Sequence, residues 1–200
     1  MFIVSFRFKP VLPYSFELTV QKPTGWSWFT PYEIWEKGTI WSGFWFETSG
    51  RGKKRKIPLG VKAHSSGKSV IVDVYSPREL SRGEKLRLKD MMRDSLGISE
   101  DLRPFYRLLR KDRLLRPLVR RLYGMREGWG MNIFSSLTLA VLLQMAPIKR
   151  SQDMWACLLQ SYGRRIRFDG KSVLLWPKSS AFPWSDPEGI PGNMMIASGV

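Results

Sequence analysis

The chain is poor in the residue types that most catalytic and metal chemistry needs. It has one cysteine in 200 residues, Cys157. A single thiol excludes an internal disulfide and, on its own, a zinc or iron–sulfur site. Its one histidine, His64, sits in the loop-like AHSSGK, so no Cys–His nucleophilic pair is evident. Cys157 reads as a packed thiol in an apolar helical pattern, and His64 as a solvated loop residue. Carboxylates are also in deficit, at 17 against 33 Lys and Arg, which leaves a net charge of +16. That field favours polyanions, nucleic acid before an anionic membrane surface. No apolar run is long enough to span a bilayer. The longest helix candidate, residues 133–145, is interrupted by Ser135, Ser136, Thr138 and Gln144. The first ten residues alternate and hold Arg7 and Lys9, unlike a secretion signal. The expectation is a cytoplasmic protein, nucleoid-associated in a prokaryote, with no metal, no small-molecule cofactor and no membrane partner.

What the chain does have is large apolar side chains. Nine Trp and eleven Phe allow a substantial core. The charge is uneven: residues 1–50 are neutral, 51–76 carry +6, 77–130 carry +7 and 131–200 carry +3. The first 75 residues read as β. Phe2, Val4, Phe6 and Phe8 alternate with polar or smaller neighbours, as do Phe16, Leu18 and Val20. The aromatic run 40–46 and the β-branched run 70–75 complete an antiparallel sheet, with RGKKRK at 51–56 as a loop or hairpin tip.

From Pro77 the period becomes helical. Ser81 and Glu84 make a capping-box pattern ahead of Leu88, Met92 and Leu96, with Gly97 as the stop. Ser99 is the expected cap of a helix holding Leu102, Phe105, Tyr106 and Leu109. Asp112 is expected to open another with Leu115, Leu118, Val119 and Leu122, bent by Pro117 and closed by Gly124. Asn132 caps a buried helix over 133–145, and Pro147 suits the first turn of the next. There Ile148, Ser151, Trp155, Leu158 or Leu159, and Tyr162 share a face, and Gly163 closes it. Beyond Phe168 the period decays. The reading is α+β: an antiparallel β domain over 1–76, a helical domain over 77–176 and an irregular tail over 177–200.

The order of sheet, capping-box helix, LGISEDLRPFY, LYGMREGWGMNIFSSLTLAVLLQM and LLQSYG resembles the helix-hairpin-helix DNA glycosylase superfamily, in its 3-methyladenine and 8-oxoguanine branches. The resemblance covers roughly residues 14 to 183. TGWSWF and IWSGFWF echo the 8-oxoguanine branch, which implies that Gly25 lies next to the base; the alternative is that Gly25 serves a turn and Trp26, Trp28, Trp41 and Trp45 are sheet core. The resemblance further implies an incomplete glycosylase-type helical domain and duplex DNA, damaged or abasic, as partner. It places the turn Gln144-Met145-Ala146 where a side chain fills the gap left by an extruded base. Met145 is the wedge in that reading and an ordinary core methionine in the other. Lys149 and Arg150 follow at a helix N-terminus and suit a phosphate. Many relatives carry a Ser soon after the Gln, where this chain has Ala146-Pro147.

The family releases the base by hydrolysis of the N-glycosidic bond, using a later hairpin and an Asp about twenty residues on, with a Lys in some members. EGIPGNMM has no second half of such a hairpin. Asp186, Glu188, Lys171 and Lys178 match no catalytic position, so the resemblance carries over no catalytic residue. The sequence-based expectation is a truncated or frameshifted glycosylase. The alternative is a non-catalytic basic module that binds nucleic acid through RGKKRK and residues 103–126.

Overall fold

A computed structural model describes residues 1–21, 28–30, 32–50, 53–128, 130, 132–145 and 147–181. Five strands form one antiparallel sheet: β1 (Phe2–Phe8), β2 (Ile34–Glu36), β3 (Thr39–Gly50), β4 (Lys53–Ser66) and β5 (Ser69–Ser76), in the order β1-β5-β4-β3-β2. The side-chain period of two divides this sheet cleanly. Ile40, Phe44 and Phe46 of β3, Leu59, Val61 and Ala63 of β4, and Val70, Val72 and Val74 of β5 face inward. They pack on Leu88 and Met92 of helix α2 (Arg82–Ser95). The capping box is formed as the sequence reads: Ser81 Oγ accepts from Glu84 N–H, and the Glu84 carboxylate accepts from Ser81 N–H.

Three expectations for the β region change, and one for the stretch after Phe168. Residues 16–20 form a helix, α1 (Phe16–Val20), not a strand. Ser15 Oγ accepts from Leu18 N–H, and Phe16, Thr19 and Val20 bury at helical spacing. A local cap and a buried face at i, i+3 and i+4, with the Thr19 hydroxyl donating to Ser15 O, override the alternation. Lys53 to Lys56, assigned to a loop or tip, lie within β4. So does His64, which pairs with Thr39 and Ile71 and is half-buried. The stretch after Phe168 is ordered: β6 (Arg164–Phe168) and β7 (Lys171–Leu175) make a hairpin about Asp169 and Gly170, both at positive φ. Asp-Gly is the pair that a tight two-residue hairpin turn favours.

This hairpin is the middle layer of the molecule. One face of β7, Val173 and Leu175, joins Ile166 and Phe168 against the outer face of the sheet at Trp41 and Tyr75. The other, Leu174, joins Trp176 against Leu139, Leu158 and Leu159 of helices α5 (Ile133–Leu143) and α6 (Ile148–Tyr162). Thus residues 164–176, read from sequence with the helical region, pack between the sheet and two helices. Thr30 Oγ1 ties the layers by donating to Leu174 O at 2.6 Å. Lys171 pairs with Glu36 and lies 5.1 Å over Trp41, and Lys178 lies 4.0 Å over Trp45, so both lysines serve packing here.

Helices α3 (Arg103–Leu109) and α4 (Arg116–Arg121) are shorter than their sequence pattern implies. Ser99 does not cap α3; the Asp101 carboxylate takes Arg103 N–H instead, at 3.0 Å. Asp112 accepts from Leu114 and Leu115 N–H, but α4 itself starts only at Arg116, where Pro117 fits its first turn. Only Tyr106 and Val119 of these helices are buried. Behind them Arg126 is fully buried. Its guanidinium donates to the carbonyls of Val11, Pro13, Gly97, Glu100 and Gly124 at 2.9–3.3 Å and lies 5.4 Å from the Tyr14 ring centroid. Cys157 is half-buried rather than packed in the core.

Candidate nucleic-acid interface

Helix α5 starts where sequence predicts, with Asn132 Oδ1 accepting from Ser135 N–H at 3.0 Å. The expectation that it is buried holds for one face only. Ser135 and Leu139 are enclosed, while Ile133, Leu137 and Val141 are 62–79% exposed. α5 bears no charged residue, so its open face is an apolar stripe at four-residue spacing.

The stripe ends at the turn into α6. Gln144 is the exposed C-cap of α5. Met145 follows, 100% exposed and at φ +52°. A left-handed residue other than glycine costs roughly 1 kcal/mol, and full exposure forfeits the burial that a methionine usually gains. The side chain is therefore displayed at the tip of a helical hairpin at a cost to the fold, and Met145 is not an ordinary core methionine. Ala146 and Gly25 lie outside the described residues. Of the tryptophans assigned to the sheet, Trp28 and Trp41 are buried and Trp45 half-buried.

Pro147 occupies the N-cap position of α6 rather than its first turn, and no side chain caps that helix. Lys149 and Arg150 in the first turn are both exposed, one turn from Met145. Cations at the positive end of a helix oppose its dipole. Together with uncapped amide groups they make a place where an oxyanion relieves an unfavourable field. Ser151, the next residue, is fully buried, and its Oγ donates to Pro147 O at 3.3 Å, which fixes the turn from beneath. The structure thus brings Gln144, Met145, Lys149 and Arg150 to one exposed corner.

A second feature escaped the sequence reading. A cleft of about 560 Å³ opens among β3, the end of α2 and the start of α5, lined by Phe29, Phe44, Trp45, Asn132, Ser135 and Trp176. Phe29 stacks on Phe44 with ring centroids 4.6 Å apart. The Trp176 indole N–H is buried without a partner among the described residues. Segment 28–30, which supplies Phe29 to the cleft, is held by Glu33. Its carboxylate accepts from Trp28 and Phe29 N–H at 2.7 Å each and from the Ser42 hydroxyl. Burial raises the Glu33 carboxyl above its ordinary value, against the lowering effect of those donors. The cleft combines residues from 29 to 176, so no local spacing signals it. The cleft and the Met145 tip lie at opposite ends of α5, about 17 Å apart by helix rise. Among the described residues no group of His, Cys, Asp and Glu could hold a metal ion, and no helix is long and apolar enough to cross a membrane.

No protein-family model matches the chain, and no curated protein matches it in sequence. Its backbone is similar to that of 3-methyladenine DNA-glycosylase from Archaeoglobus fulgidus, with a TM-score of 0.62 at 19% identity over 88% of this chain and 57% of that one. It is similar also to MBOgg1 in complex with a low-affinity DNA ligand, with a TM-score of 0.60 at 16% identity over 91% of this chain and 54% of that one. The chain spans less than two thirds of the length of either structure. At this identity the likeness establishes the fold alone: an α+β arrangement of sheet and helices shared with these two structures.

Proposed function

We propose that this chain recognises damaged or abasic positions in duplex DNA, as a glycosylase-type protein of base-excision repair. The observation that carries the reading is Met145: an apolar, adaptable side chain, wholly exposed at the tip of the α5–α6 turn, in a backbone conformation that disfavours it. Wedges that enter a base step are drawn from Phe, Leu, Ile, Met and Pro, and they offset the stacking lost when a base leaves the duplex. Gln144 and Met145 form the inserted corner. Lys149 and Arg150 hold a phosphate beside it. Of the two similar structures one is a 3-methyladenine DNA-glycosylase and the other is in complex with a DNA ligand, which supports the same reading. We assign no bond-breaking step to residues of this chain.

Fluorescence anisotropy with a duplex carrying one abasic site, and with the same duplex intact, tests it. The expected result is tighter binding to the abasic duplex, a preference that Met145→Ala removes. Equal affinity for both duplexes, with Met145→Ala neutral, would instead identify a basic module that reads only the phosphate backbone.

A further inference from the structure

Helices α3 and α4 display a surface that the DNA reading does not use. Their solvent side carries Phe105, Leu108, Leu114, Leu115 and Leu118, each 40–83% exposed. Residues 103–121 also hold eight Lys and Arg against one carboxylate, Asp112. That carboxylate is engaged by the Leu114 and Leu115 amides. Arg103 is paired with Asp101 at 2.8 Å. Among the described residues no ion pair engages Arg110, Lys111, Arg113, Arg116, Arg120 or Arg121. All six are exposed.

The two chemistries together select the occupant. A phosphodiester backbone satisfies the cations but leaves the leucines in water. A second copy brings another +16 charge to a face that is already cationic. A bilayer surface suits a long helix with its charges and apolar residues on opposite sides. Here the helices have seven and six residues, and leucines and arginines share the solvent side. Large exposed apolar side chains set among charge of one sign mark an interaction site, and with a bilayer disfavoured a protein partner fits this one. We propose that the α3–α4 face docks an acidic segment of another polypeptide, an amphipathic helix whose leucine-like side chains cover Leu108, Leu114 and Leu118 while its carboxylates meet Arg110 and Arg116. This proposal stands apart from the DNA reading.

The test uses the full chain and a labelled peptide of roughly 18 residues, long enough to form five helical turns. It carries Leu on one face and Glu on the flanks. A control peptide replaces every Leu by Ser and keeps the charge. The Leu peptide should bind at least about tenfold more tightly than the Ser peptide, since hydrophobic anchors dominate such interfaces. The double variant Leu108→Ser/Leu118→Ser should lose about tenfold in peptide affinity, and Arg110→Gln/Arg116→Gln should lose about fivefold, with salt dependence reduced. Because all four side chains are exposed, near-UV circular dichroism should stay unchanged, and so should the affinity of the leucine double variant for duplex DNA. Equal binding of the Leu and Ser peptides would overturn the proposal, as would full affinity in the leucine double variant, which would place the peptide elsewhere, such as the α5 stripe. Leucine-dependent binding of the chain to phosphatidylserine vesicles, with none to the peptide, would assign the face to a membrane surface instead.

Discussion

Gly43 and Gly60 stand directly opposite one another in β3 and β4, and the space that their two Cβ atoms would take is filled by the β6–β7 hairpin. A Cβ at Gly60 would lie 2.5 Å from the Phe168 ring, and one at Gly43 would lie 2.6 Å from Leu175 Cδ2. Both glycines have ordinary backbone angles, so closeness of approach, not conformational freedom, requires them. Gly60→Ala should cost about 1–3 kcal/mol by overpacking. Gly43→Ala should cost less, because a leucine tip yields more easily than a buried ring. Urea denaturation of the two variants checks the order.

Met145→Gly separates fold from function. Glycine removes the penalty of the left-handed backbone and also removes the apolar tip. Unfolding free energy should stay level or rise by up to about 1 kcal/mol. Preference for an abasic duplex should vanish in the same protein. A loss of stability would show that Met145 packs against something in the folded chain.

Lys149→Ala and Arg150→Ala should weaken binding to every duplex alike. Each should reduce the slope of log affinity against log salt by about one. The measurement is anisotropy over a salt series. An unchanged slope in both variants would remove the α6 N-terminus from the interface.

The start of α2 gives a pH dependence. The Arg78 guanidinium grips both oxygens of Glu84, at 2.6 and 2.9 Å, and holds its carboxyl down at about 2 instead of the ordinary 4.5. A depressed carboxyl stabilises the fold above its unfolded value and loses that contribution as pH falls from 4.5 towards 2. Arg78 is half-exposed, so solvent screening limits the effect. Glu84→Gln should cost about 1–2 kcal/mol at neutral pH. The gap from the parent chain should close across that acidic window in denaturation series.

The elements that sequence disclosed were those governed by near neighbours. The capping box at Ser81 and Glu84, the Asn132 cap and the inward faces of β3, β4 and β5 depend on spacings of two to four residues, which periodicity reports directly. The exposed corner at Gln144 and Met145 was legible for the same reason, as a break between two helical runs. Strand β7, which shows no clear period, has its decisive partners far along the chain. Lys171 to Leu175 looks aperiodic because β7 is apolar on both faces, one set by Trp41 and Tyr75, the other by Leu139 and Leu159. Phe16 to Val20 alternates like a strand, and only the Ser15 cap and burial beneath the sheet turn it into a helix. The aromatic cleft gives no signal, since Phe29, Trp45, Asn132 and Trp176 come to it from distant parts of the chain.

The buried Arg126 guanidinium has a consequence for how the molecule comes apart. It collects carbonyl groups from the strand-to-helix link at Val11 and Pro13, from the end of α2 and from Gly124. No one of these segments can detach without stranding a charge away from water. Sheet and helices should therefore melt in one transition rather than two. Fragments made by cutting the chain near Pro77 should be insoluble apart, and should regain structure only when mixed.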